Sequence, residues 1–397
     1  MSIFLFLVFL FACSLSPVFA SDFGMIINGE FEAVNSDENN TSGNVILAPW
    51  LSLPLGREGD FHFSLGLNAA FEESNLYVPE LFRLEFSFKP LSRLSVRAGR
   101  FAWQDPSRFI ARGRFDGADL LLDLGNVRLG AAALYTGFLY RETAYISISP
   151  GDQNDYSGDF DFNDFANTYF APRRLISCLY GEFPGFPYMR GNLYAGLLAQ
   201  FDLSGAEEPF HTQYLLLRHS LAYKAFDLIL AGAVGLENTD NKGMRAAYAF
   251  TLEGGLQLPT ALRDRLSLGL RWASGDGPQT AAFFPISWEA QGEVLKPALS
   301  GIMILRANYQ ARFLPSFSAE IGGRYFIRTD SGSFADPWLE NDSYLIGAEL
   351  DSSLFWAPFS DLVFSMTGGI FFPQSGEAMP DNAPLRWALK LGTIFSF

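Results

Sequence analysis

The sequence predicts an all-β chain: a single transmembrane antiparallel β-barrel of about 18 strands (16–18), occupying residues 21–397. Three observations predict it. The chain is 49% hydrophobic and 16% aromatic, yet beyond residue 20 it has no unbroken apolar run of the roughly 20 residues that a membrane helix needs. Apolar residues instead recur at alternate positions, the period of a strand with two unlike faces. The connections between these segments switch between short and long, as the hairpins of a transmembrane barrel do.

Met1–Ala20 reads as a secretory signal peptide, an apolar run from Ile3 to Cys13 followed by a small-residue site ending at Ala20. It lacks a Lys or Arg near its start. A lipoprotein signal ending at Cys13 is the competing reading, and the bulky Phe11 opposes it. Removal of this segment leaves Cys178 without a partner, so no internal disulfide is expected.

Strands are then expected at residues 23–33, 45–55, 61–71, 82–88, 94–99, 118–124, 127–135, 174–183, 192–203, 212–223, 226–237, 244–258, 265–272, 302–312, 317–327, 344–356 and 362–372, before a closing strand in 384–397. The third shows the pattern: Phe61, Phe63, Leu65 and Leu67 share one face, and His62, Ser64, Gly66 and Asn68 the other. Gly125-Asn126 fits a two-residue hairpin turn. The short turns are rich in Pro or charge, as in Lys89-Pro90-Leu91 and Phe313-Leu314-Pro315, whereas the other connections are longer, mostly acidic and rich in Gly, Asn and Ser. An even number of strands places both termini and the short turns on the periplasmic side and the long loops outside. A stack of β-sandwiches would also bury alternating faces, but nothing in it requires short and long turns to alternate over so many hairpins.

The closing segment, PLRWALKLGTIFSF, puts Leu385, Trp387, Leu389, Leu391, Phe395 and Phe397 on one face and Arg386, Ala388, Lys390, Gly392 and Ser396 on the other. Lys390, Gly392, Phe395 and Phe397 resemble the ending of outer-membrane β-barrel proteins of the Gram-negative type. That resemblance implies a porin-like barrel in outer-membrane lipid whose last strand is read by the barrel-assembly machinery. Trp272-Ala-Ser-Gly-Asp-Gly, followed by Phe283-Phe-Pro, is similar to a passage in the alginate-export family of porins, as is the Gly99-Arg100 step. This second resemblance implies an arginine-rich channel for an anionic polysaccharide.

The face opposite the apolar one carries Arg97, Arg128, Arg271, Arg306 and Arg324 among other arginines, interleaved with carboxylates such as Asp119, Glu253 and Glu349. Pairing across neighbouring strands accounts for many of these charges without a ligand. The alternative is a passage that selects anions or sugars. The connection 100–115 adds Arg100, Arg108, Arg112 and Arg114 beside Trp103 and Phe109; folded inward, it would narrow the pore and offer bidentate donors to a small anionic solute. Asp105 and Asp116 could equally tie it down as an ordinary outer loop.

The formal net charge of −15 argues against nucleic acid as a partner. Asp159, Asp161 and Asn163 have the spacing of a calcium loop without its later Gly and Glu, which favours a solvated surface loop. No metal-ligand cluster or cofactor motif is visible, and His62, His211 and His219 lie in no nucleophile motif. The expectation is therefore an outer-membrane channel for passive diffusion, with no catalytic residue and no cofactor. A surface adhesin or structural barrel with a plugged lumen is the alternative, followed by a barrel-embedded hydrolase.

Overall fold

The computed structural model describes residues 21–35, 39–71, 75–149, 152, 156, 160–186, 191–205, 209–239, 243–330, 339 and 342–397. Met1–Ala20, read above as a signal peptide, lies outside them. Eighteen antiparallel strands among the described residues pair in chain order, and the first closes on the last. β1 (Asp22–Asn35) meets β18 (Arg386–Ser396) from Ile26↔Ser396 to Asn35↔Trp387. No edge is left for another chain to pair with.

Alternation sorts the faces as the sequence predicts. On β13 (Arg265–Ala273), Leu266 and Leu268 point outward, with Leu268 62% exposed, while Ser267 and Arg271 point into the lumen. On β18, Trp387, Leu391 and Phe395 face out, and Arg386 and Ala388 are buried inside. Phe397 exchanges backbone hydrogen bonds with Met25 across the closing seam (2.8 and 3.1 Å). The outward Leu, Phe and Tyr side chains form the apolar belt that hydrocarbon requires.

The region after the fifth strand differs from the sequence reading. The stretch 100–115 is not one long connection. β5 (Leu94–Gln104) runs further than expected, β6 (Arg112–Asp123) starts earlier, and only residues 105–111 form the turn. This hairpin leaves the barrel wall. Pairing of β4 (Asn75–Leu91) with β5 ends at Leu84↔Arg100, and pairing of β6 with β7 (Arg128–Tyr135) ends at Asp116↔Tyr135. The bend falls on the facing pair Gly99↔Gly117. Gly99 has φ +107°, a region closed to most side chains, and a Cβ there would lie 1.9 Å from the Leu84 carbonyl oxygen. At Gly117 a Cβ would lie 2.1 Å from the Ala133 carbonyl oxygen. Two glycines thus let the chain pass close under its neighbours and turn inward.

The core consequently sits inside the barrel. Phe101, Ile110 and Phe115 of the bent hairpin are fully buried, in one cluster with Ile176, Leu198 and Leu216 of the facing wall. Those three belong to β8 (Arg174–Phe186), β9 (Gly191–Asp202) and β10 (His211–Tyr223). Phe283, Ile286 and Leu295 of the connection 274–301 complete the cluster.

Candidate functional site

Two long connections join the hairpin inside the lumen. The stretch 274–301 starts from β13 and reaches several walls in turn. Ser287 donates its backbone N–H to the Ile110 carbonyl at the hairpin tip (2.9 Å), and Gln291 accepts from Arg271 (2.7 Å). The Glu349 carboxylate on β16 (Leu345–Phe359) accepts three successive backbone N–H groups, from Glu293, Val294 and Leu295, at 2.7, 3.1 and 2.8 Å. Lys296 then pairs with Glu32 on β1. The connection 136–173 folds in beside it through Ser147 N–H to the Ile286 carbonyl (2.9 Å) and Trp288 N–H to the Tyr145 carbonyl (2.7 Å). Arg174 on β8, wholly buried, holds Asp152 of this connection and Asp202 of β9. Tyr169 caps the Pro79 carbonyl with its hydroxyl (2.9 Å), and burial pushes its phenol up to about 12.

The hairpin, residues 143–145 of the connection 136–173 and the wall of β8–β10 line an open cavity of about 680 Å³ in the lumen. Arg97, Arg108, Arg112 and Arg114 line it from the bent hairpin and its stem, and Tyr180, Tyr194 and Arg218 from β8–β10. Most of these charges are neutralised. Arg97 pairs with Asp119 (2.8 Å) and lies 4.8 Å above the Phe101 ring. Arg112 pairs with Glu289 (3.0 Å) and remains 63% exposed. Arg114 pairs with Glu80 (3.0 Å) over the Phe82 ring. Arg108 and Arg218 differ: among the described residues, neither has a carboxylate within ion-pair distance. Arg218 is only 6% exposed, with its guanidinium 5.6 Å from the Tyr194 ring centroid.

Arg108 owes its placement to the turn. It adopts φ +72°, which is rare for a residue with a side chain. The Asp105 carboxylate, 1% exposed, collects the turn's donors: Ser107 N–H (2.7 Å), Ser107 hydroxyl and Arg108 N–H (3.1 Å) on Oδ1, with Ile110 N–H (3.0 Å) and Ala111 N–H (2.9 Å) on Oδ2. Burial pushes this carboxyl up, and those hydrogen bonds pull it back.

The other arginines singled out in the sequence lie elsewhere. Arg100 is 5% exposed and grips Asp116 through two bonds (2.8 and 2.7 Å) and the carbonyls of Leu81 and Phe138 (2.9 and 2.8 Å), where β4 and β5 part. Its donors are committed to the bend. Arg128 sits at the short-turn rim, held by Glu182 (3.3 Å) and Asp123 (3.6 Å). Arg271, Arg306 and Arg324 form a second group on the lumen wall of β13, β14 (Ile302–Leu314) and β15 (Phe317–Arg328), paired with Glu289, Glu253 and Glu349/Asp351 respectively. Pairing with carboxylates of other strands and of the connection 274–301 therefore accounts for most of the arginine face. The sequence reading left Arg218 and the tyrosines out of the site. Asp159 lies outside the described residues, while Asp161 Oδ1 accepts from Asn163 N–H (2.8 Å) and Nδ2 (2.9 Å) in a local turn.

No protein-family profile matches the chain, and no curated protein matches it by sequence. Its fold matches solved outer-membrane barrels of Pseudomonas aeruginosa. The outer membrane protein OprD aligns over 95% of this chain and 94% of that one, with TM-score 0.61 and 11% identity. OccK8 (OprE) aligns over 95% and 98%, with TM-score 0.62 and 13% identity. OccK2 (OpdF), solved in complex with glucuronate, aligns over 95% and 98%, with TM-score 0.62 and 12% identity. At such identities the likeness is one of fold. The resemblance to the alginate-export family finds no support, since the solved structures that match are of the OprD and Occ type.

Proposed function

We propose that the chain is an outer-membrane channel for passive diffusion of small anionic or sugar-like solutes, with its selectivity set at the cavity between the bent hairpin and β8–β10. The observation that carries this reading is the pair Arg108 and Arg218, two guanidiniums without a carboxylate among the described residues, in a lumen where most other arginines are paired. A solute carboxylate entering the cavity supplies the missing counter-charge. The complex of the similarly folded OccK2 with glucuronate fits a solute of this kind.

Net charge does not oppose the reading. The protein's −15 acts at a distance and is screened within about 8 Å at physiological salt, whereas selectivity is set at the narrowest point. In this reading the short turns and both termini face the periplasm and the long loops face outward. The barrel-assembly machinery recognises Lys390, Gly392, Phe395 and Phe397.

The test is the reversal potential across a planar bilayer under a potassium chloride gradient. The wild type should prefer chloride, and Arg108→Ala/Arg218→Ala should lose most of that preference. A cation-selective wild type, or a double variant with unchanged selectivity, removes the arginine pair from the account. A barrel that conducts nothing is the plugged structural protein or adhesin.

A further inference from the structure

Arg108 lies in the left-handed region, at φ +72°, which side chains disfavour. Something must hold it there, and the side chain on which most of the turn's donors meet is Asp105. Five donors of residues 107–111 converge on Asp105, which lies beneath them with almost no exposure. Two further backbone bonds close the same loop, Asp105 N–H to the Ala111 carbonyl (2.9 Å) and Arg108 N–H to the Asp105 carbonyl (3.1 Å). The same carboxylate is therefore committed to backbone donors and forms no ion pair with Arg108 or Arg218. We propose that Asp105 is a positioning residue, which fixes the turn so that Arg108 is presented to the cavity un-neutralised, together with Arg218. The inference rests on the reading of that cavity as an anion site.

Coulomb's law makes the test sharp. Removing a carboxylate near two guanidiniums strengthens anion preference, or leaves it alone if the carboxyl was already neutral. Only displacement of Arg108 weakens it. Asp105→Asn, checked for folding by heat-modifiable migration, should therefore lower the chloride-over-potassium permeability ratio several-fold, to near that of Arg108→Ala. Adding Arg108→Ala to Asp105→Asn should change little more, as expected for two residues acting as a unit. Unchanged or increased anion preference in Asp105→Asn overturns the inference.

A second measurement does not depend on selectivity. In a Cys178→Ser background, Arg108→Cys/Arg218→Cys is cross-linked with a bifunctional thiol reagent. The yield should fall several-fold when Asp105→Asn is added, and an equal yield overturns the inference. Should Asp105→Asn fail to assemble, Ser107→Ala, which deletes one donor to Oδ1, is read by the same cross-link with the same two outcomes. A wild type without anion preference would sink the reading of the cavity as an anion site, and the cross-link alone would then decide the role of Asp105.

Discussion

The wall of β8–β10 and the wall of β1–β3 belong to one barrel but face different surroundings within its lumen. On β10, Leu215 and Leu217 point outward at 56% and 53% exposure, and Leu216 between them is equally apolar although it points inward at 1%. β9 repeats this with Leu197 outside and Leu198 inside. On β1, by contrast, three consecutive inward positions between Ile26 and Val34 are polar, Asn28, Glu30 and Glu32, and their cross-strand neighbours on β2 (Asn39–Pro54) are Ile46, Asn44 and Ser42. One wall is a core wall, covered by the bent hairpin and the inward connections; the other is a polar wall. Binary patterning is therefore informative about the inside of a barrel. Strict alternation marks a wall facing water, and apolar residues on both faces mark a wall with something packed against it.

The sharpest way to break that comparison is a charge at matched positions. Leu216→Arg places an unpaired guanidinium in a dry core and should cost about 3–5 kcal/mol, on the scale of an uncompensated buried charge. Asn28→Arg, on the polar wall, should cost under about 1 kcal/mol. On β13, Leu268→Arg should cost roughly 2–4 kcal/mol as a lipid-facing charge, much more than Ser267→Arg. Urea unfolding of the refolded barrel in lipid vesicles measures all four. Equal costs at Leu216 and Asn28 would mean that the two walls do not differ, and equal costs at Leu268 and Ser267 would mean a register slipped by one residue.

The strand wall was legible because each strand must solve the same problem, lipid on one side and the lumen on the other, and alternation records the solution. All eighteen expected strands correspond to observed ones. The lumen contents were less legible. Arg100 and Arg114 looked like loop residues because Gly99 and Gly117 interrupt the pattern, and a glycine reads as punctuation whether the chain turns or only bends. The run Tyr214-Leu215-Leu216-Leu217 was the available sign of a covered wall, since its inward members had no reason to be apolar in open water. Arg218, at the end of that run, is the member of the cavity this sign would have found. The route of 274–301 across the lumen was not legible, because its anchors on Arg112, Arg271, Glu349 and Glu32 belong to strands far apart in sequence.

A smaller effect on stability than that of the buried or lipid-facing charges, and a more specific one on function, is expected at the hinge where β5 leaves β4. Gly99→Ala adds a methyl group where the Leu84 carbonyl oxygen already sits and forces a φ that alanine disfavours, so β5 must shift at the point where it leaves β4. The backbone strain alone is about 1–2 kcal/mol, small against a closed barrel of eighteen strands. The barrel should still assemble and migrate as a folded, heat-modifiable species. Its inward hairpin should not seat as before, because the bend is fixed by Gly99 facing Gly117 and by Arg100 gripping Asp116. If the hairpin leans back toward the wall, the cavity widens, so single-channel conductance should rise while anion preference falls, as Arg108 moves with the turn. Gly29→Ala on the β1 side of the closing seam is the control. A Cβ there would lie 3.2 Å from a Thr393 methyl group, a contact that a small side-chain shift relieves, and neither conductance nor selectivity should change. Gly99→Ala with wild-type conductance and selectivity would show that the hairpin reaches the lumen without this bend, and that the asymmetry between the two walls has another origin.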